Sequence, residues 1–116
     1  MTRGKGSARG IARERKVRDY LLERDYFVCR AAGSIGDADL VALKAGHRPM
    51  LIEVKSTAQG PYEKFGPKDR ADLSFAAQIA GADAYLYWWP PRGVLHIIAE
   101  SEWPSPLKLV GDGANG

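Results

Sequence analysis

Asp39-Leu40-Val41-Ala42-Leu43-Lys44-Ala45-Gly46-His47-Arg48-Pro49-Met50-Leu51-Ile52-Glu53-Val54-Lys55 reads as two strands, about 39–44 and 50–55, joined by the turn 45–49. Side chains alternate across a strand, so Met50, Ile52 and Val54 share one face while Leu51, Glu53 and Lys55 share the other. A hairpin at this turn brings Asp39 beside Glu53 or Lys55, because either pairing has an even index sum compatible with a short loop. Two carboxylates and an ammonium then converge among apolar neighbours. Such a group costs desolvation energy unless the charges pair or hold a cation. The ordinary alternative is a surface ion pair of Glu53 and Lys55 on an exposed edge strand, with Asp39 a mere strand-start residue. The apolar residues around the pair weigh against it.

Upstream, Ser7 can cap a helix running to about Arg24, because Ala8, Ile11, Val17 and Leu21 recur at helical spacing. Glu14 falls on that stripe, three residues from both Ile11 and Val17, and so points toward the body of the protein. Its alternative is a pairing with Arg18 one turn on. Tyr26 to Arg30 forms a further strand. Downstream, the segment 58–67 is a loop and Lys68 to Ala80 a helix with Gly81 as its C-cap. Two strands follow, about 84–89 and 94–99, joined by Pro90-Pro91-Arg92-Gly93. The order αβββαββ predicts an α/β fold, a central mixed five-stranded sheet flanked by helices.

The 116 residues, 45% of them hydrophobic, suffice for one core, so a single domain over 1–116 is expected, with 1–6 and 106–116 as mobile tails. No run approaches the roughly 20 apolar residues of a membrane span, and the basic N-terminus lacks the apolar core of a secretory signal. A soluble, intracellular protein without a membrane partner is the expectation. The single cysteine, Cys29, has no internal disulfide partner, and its apolar run predicts a buried, inert thiol. His47 and His96 lack metal-ligand partners at useful spacing, which argues against a zinc site. Tyr85, Tyr87, Trp88 and Trp89 lie in a strand whose alternation buries one set, so they read as core or interface rather than base-stacking platforms.

Charge is distributed unevenly. Eight basic residues, among them Arg9, Arg13 and Arg15, face three acids within residues 1–24, leaving +5 there and −2 on the remainder of a chain whose net charge is +3. A basic arm on a nearly neutral body suits a polyanion such as nucleic acid. The oxygens of Asp39 and Glu53 are hard ligands of the kind Mg²⁺ takes, usually one or two carboxylates completed by substrate phosphate and water. That set suits phosphodiester hydrolysis, with Lys55 orienting or deprotonating water or neutralising developing charge, and with Glu14 adding a ligand directly or through water.

Asp39, thirteen residues, then Glu53-Val54-Lys55 matches the PD-(D/E)xK pattern of restriction-endonuclease-like nucleases. Ala12-Arg13-Glu14-Arg15, Tyr26-Phe27-Val28-Cys29-Arg30, Ala31-Ala32-Gly33-Ser34 and Ala38-Asp39-Leu40-Val41-Ala42 precede it. In that order and spacing the chain, from about Gly6 to Glu100, resembles the archaeal Holliday junction resolvases of the Hjc and Hje type. The resemblance implies the restriction-endonuclease-like fold and a homodimer that cuts four-way DNA junctions symmetrically with Mg²⁺ or Mn²⁺ and no small-molecule cofactor. It implies an active site of Glu14, Asp39, Glu53 and Lys55, with Ser34 assisting. Arg15 and Arg30 would serve in DNA contact or catalysis, with Arg9 and Arg13 of the basic arm also on the DNA, and Phe75 and Ile79 would meet the dimer partner. Ala38 stands where the wider superfamily has proline, which leaves Asp37 as a rival first acid. The alternatives are another nuclease of this fold acting on flaps or duplex DNA, and a non-catalytic DNA-binding module.

Overall fold

The 50–55 segment becomes the middle strand of a five-stranded sheet, and everything around it follows from that position. A computed structural model describes residues 8–31 and 38–104. Its elements are helix α1 (Ala8–Leu22), strands β1 (Phe27–Arg30), β2 (Leu40–Leu43) and β3 (Met50–Lys55), helix α2 (Pro67–Ala80), and strands β4 (Asp83–Trp88) and β5 (His96–Ala99). A 3₁₀ turn at Glu100–Glu102 closes the described chain. The sheet order is β1-β2-β3-β4-β5. All neighbours are antiparallel except β3 and β4. A parallel pair needs a long crossover, which α2 supplies. The mixed sheet and αβββαββ order are those expected from the sequence. Ser7, the expected cap, lies outside the described residues, as do the two expected tails.

Alternation divides the core in two. Leu40, Ala42, Met50, Ile52, Val54 and Tyr87 are buried against Val17 and Leu21 of α1. On the opposite face Phe65, Leu73, Ala77, Ala84, Leu86 and Trp103 form a second cluster, with Leu51 packed against it. Ile52, wholly buried, carries about 2–5 kcal/mol against truncation to alanine. The second cluster lies under α2 and reaches β3, β4 and β5, but it includes no residue of β1. The cross-strand pair Phe27 and Leu43 consequently stands 63% and 39% exposed.

This explains one correction. Cys29, expected to be buried, is exposed. It shares the face of Phe27 on the edge strand β1, so an apolar run there finds no helix to cover it. The aromatic strand also divides less cleanly than alternation suggests: Tyr87 is buried, while Tyr85, Trp88 and Trp89 are half-buried.

Both helices end on a left-handed residue. Gly81 (φ 68°) ends α2, and the next N–H, of Ala82, donates to the Ala77 carbonyl at 2.8 Å. In α1 the corresponding position is Asp25 (φ 67°), with Tyr26 N–H donating to the Leu21 carbonyl at 3.1 Å. At the start of α2, Pro67 follows Gly66 and Asp69 sits in the first turn, as the helix dipole favours. Arg70, though charged, is buried: Nη1 donates to the Phe65 carbonyl at 2.8 Å and the guanidinium lies over the Tyr62 ring. It braces the loop that carries the chain from β3 to α2.

Candidate active site

Glu53 and Lys55 project from the same face of β3 and pair at 2.9 Å between Glu53 Oε2 and Lys55 Nζ. Their side chains are 17% and 23% exposed, and β3 lies between β2 and β4, so this is not an exposed edge-strand pair. Asp39 immediately precedes β2, whose register sets Leu40 opposite Ile52. Its backbone N–H donates to the Ile52 carbonyl at 2.8 Å. Its Oδ2 accepts the Val54 N–H, also at 2.8 Å, so the carboxylate continues the ladder where the backbone of β2 ends. The sequence left Asp39 beside either Glu53 or Lys55; the register selects Glu53 as its neighbour.

The electrostatics show two acids that repel. Burial, and then the charge of Asp39, push Glu53 up to about 7, against the opposing pull of Lys55. Asp69, at the start of α2, adds to the rise. Burial likewise raises Asp39; the Val54 N–H opposes this, the Glu14 charge adds to it, and Lys55 and Arg30 oppose it. One lysine therefore leaves this half-buried pair short of positive charge. Two hard carboxylates under-neutralised in this way fit a divalent cation, which needs only one or two protein carboxylates when phosphate and water complete its shell. Asp39 Oδ1 and the Glu53 carboxylate are the atoms that would hold it.

Glu14 approaches from α1 and is bound elsewhere. Its Oε1 accepts Arg30 Nε at 2.9 Å rather than pairing with Arg18, the alternative that helical spacing offers, and Arg18 meets Asp19 at 3.3 Å. Among the described residues, no three acidic, histidine or cysteine side chains are gathered closely enough to form a metal cage. The charge of Glu14 thus reaches Asp39, but its carboxylate does not join the Asp39–Glu53 pair. Ser34 and Asp37 lie outside the described residues, as does the side chain of Arg9.

Ile11, Glu14, Arg15, Arg18, Arg30 and Leu40 line a cleft of about 170 Å³. Arg15 and Arg30 were expected near the site; Arg18 was not, although its spacing from Ile11, Glu14 and Arg15 sets it on their side of α1. Arg13 is placed differently. Its Nε and Nη2 donate to the carbonyls of Trp89 and Pro90 at 2.9 and 3.0 Å. On α2, Phe75 and Ile79 are 64% and 70% exposed, one turn apart and turned from the core. Across the sheet, Trp88 Nε1 donates to the Thr57 carbonyl at 2.8 Å, and its ring lies 4.9 Å from that of His96.

A profile of the archaeal Holliday junction resolvases matches residues 5–103, nearly the whole chain. The chain belongs to that family. This resolvase is also similar to the solved structure of the Holliday junction resolvase Hjc from the archaeal hyperthermophile Archaeoglobus fulgidus, with a TM-score of 0.70 and 26% identity over 81% of this chain and 75% of that one. Among curated proteins no sequence match was found. Membership carries with it a restriction-endonuclease-like fold, a structure-selective nuclease activity on branched DNA, a part in recombination and repair, and dependence on a divalent metal. No helix among the described residues is long and apolar enough to cross a membrane.

Proposed function

We propose that Asp39, Glu53 and Lys55, assisted by Glu14 and Ser34, hydrolyse phosphodiesters in four-way DNA junctions, with Mg²⁺ as the natural ion and Mn²⁺ as its substitute. The observation that carries this reading is the pair of mostly buried, mutually repelling carboxylates beside one lysine on an inner strand. Asp39 Oδ1 and the Glu53 carboxylate would hold the ion, and Glu14 would add a ligand directly or through water in exchange for Arg30. When bound, the ion polarises the phosphoryl oxygen and acidifies the attacking water. Lys55 orients that water or takes its proton and offsets charge in the transition state. Arg15 and Arg30, with Arg9 of the basic arm, hold the flanking backbone.

The chain works as one nuclease domain, inside the cell where its DNA is, and as a homodimer. Symmetric cutting requires two sites at a fixed spacing, and a twofold axis supplies this. Phe75 and Ile79 are two large apolar side chains left in water, which a second copy would cover. The test is cleavage of a synthetic four-way junction beside linear duplex, flap and fork controls in Mg²⁺. Paired, symmetric cuts on the junction alone are expected; equal cutting of flaps or duplex would sink the reading. Phe75→Asp should shift the sedimenting species to monomer and abolish paired cutting.

A further inference from the structure

We infer that Arg13 is a positioning residue that fixes α1, and with it Glu14, against the end of the catalytic strand, and that it does not contact DNA. The inference rests on the reading of Glu14 as an assisting residue of the nuclease site. Arg13 is a rigid fork laid on two successive carbonyls, those of Trp89 and Pro90, 76 and 77 residues away. The N–H of the same Trp89 donates to the Lys55 carbonyl at 2.8 Å. Three links therefore join α1 to the catalytic lysine: the guanidinium, the backbone of Trp89 through its carbonyl and its N–H, and the Lys55 carbonyl. The Trp89 ring is held from the same helix, with Lys16 Nζ 4.3 Å and Arg13 Cζ 5.7 Å from its centre.

The packing of α1 explains why such a strut matters. Val17 and Leu21 are buried in the core. Among the described side chains of α1, none before Val17 is fully buried, and Ile11 is only half-covered. Glu14 sits in that lightly packed half, one residue from Arg13, and the ion-pair partner it has among the described residues, Arg30 on β1, is 61% exposed. Apolar packing thus fixes the C-terminal half of the helix, while Arg13 ties down the half that bears Glu14. A phosphate could take the guanidinium only by breaking its two carbonyl bonds. Arg15 and Arg30, which line the open cleft, face no such cost.

Arg13→Met should lower kcat for junction cleavage roughly 10- to 100-fold, the scale expected when a reacting group is misplaced by about an ångström. Junction affinity in Ca²⁺ and its dependence on salt should stay those of the wild type. Arg15→Met should do the reverse, weakening binding and reducing the salt slope by about one. Combined with Glu14→Ala, Arg13→Met should cost almost nothing further in kcat, because both act through one carboxylate. Arg13→Lys keeps the charge and stem but not the fork; it should be intermediate, and it decides the matter if the methionine variant does not fold. An unchanged kcat in Arg13→Lys or Arg13→Met, a salt slope reduced by one, or losses that simply multiply with Glu14→Ala would each overturn the inference. Failure of the wild type to cut junctions would instead overturn the underlying reading of the site.

Discussion

Two ion pairs of equal length behave as different objects: Glu14–Arg30 lines the cleft under α1, and Glu53–Lys55 stands on an inner strand of the sheet. Glu53–Lys55 and Glu14–Arg30 both measure 2.9 Å, but in the first both partners are mostly buried, whereas in the second the arginine is 61% exposed. Neither the distance nor the residue types separate them; position on the sheet does. Lys55 ends an inner strand with neighbours on both sides, while Arg30 ends the edge strand β1. Glu14 itself is 20% exposed, but a pair open to water through its arginine contributes on the order of 0–1 kcal/mol and exchanges partners readily. A mostly buried pair that also faces a second carboxylate is held in a state that a cation relieves. The inner pair therefore suits the holding of an ion, while the outer one leaves Arg30 able to exchange Glu14 for another anion.

The sharpest break of this contrast is removal of an acid from the inner group. Asp39→Ala or Glu53→Ala should reduce metal-dependent cleavage of a junction by about 10³-fold or more, the scale of losing an electrostatic catalytic group. Binding measured in Ca²⁺ should persist or tighten, because a negative charge facing phosphate has gone. Undiminished cutting by both variants would place the chemistry elsewhere.

Second in size is the response to pH. Glu53, ordinarily near 4.5, rises to about 7 on folding. The folded state then binds its proton more tightly than the unfolded chain does. The associated stability is fully present below pH 4.5 and is lost as pH rises through about 7. Asp39 shifts in the same direction. Melts of the metal-free protein should show the Glu53 contribution as a loss on the order of 2 kcal/mol between pH 5 and 8. Glu53→Gln should flatten that dependence, and Mg²⁺ should stabilise the wild type more at pH 8 than at pH 5. A Glu53→Gln variant with the wild-type pH dependence would contradict the assignment.

In stability and in binding, the outer pair should give the smallest effects. Glu14→Gln should change stability by no more than about 1 kcal/mol in chemical denaturation. Arg30→Ala should lower the salt slope of junction binding by about one. A larger stability loss from Glu14→Gln would mean that the two pairs are more alike than their exposures indicate.

Local signals made much of this legible in advance. Period-two burial in β3, the glycine that ends α2 and the loop length that brings Asp39 to Glu53 are properties of a few consecutive residues. What stayed hidden depends on neighbours distant in the chain. Cys29 lies in an apolar run, yet its exposure is decided by how far α2 extends across the sheet. Arg13 looked like one more charge of a basic arm, since nothing near it in sequence points to carbonyls 76 and 77 residues on. Glu14 was placed on the inward stripe of its helix, but its partner came from β1 rather than from the next turn. Helical spacing supplies direction; only the closed sheet supplies the acceptor.

The thiol on β1 has a practical use. Because the chain has one cysteine and it is exposed, a maleimide dye can be attached at a single defined point without altering any other residue. Labelled chains mixed in donor and acceptor forms would then act as a ruler, reporting by energy transfer whether two copies meet and how far apart their edge strands stand.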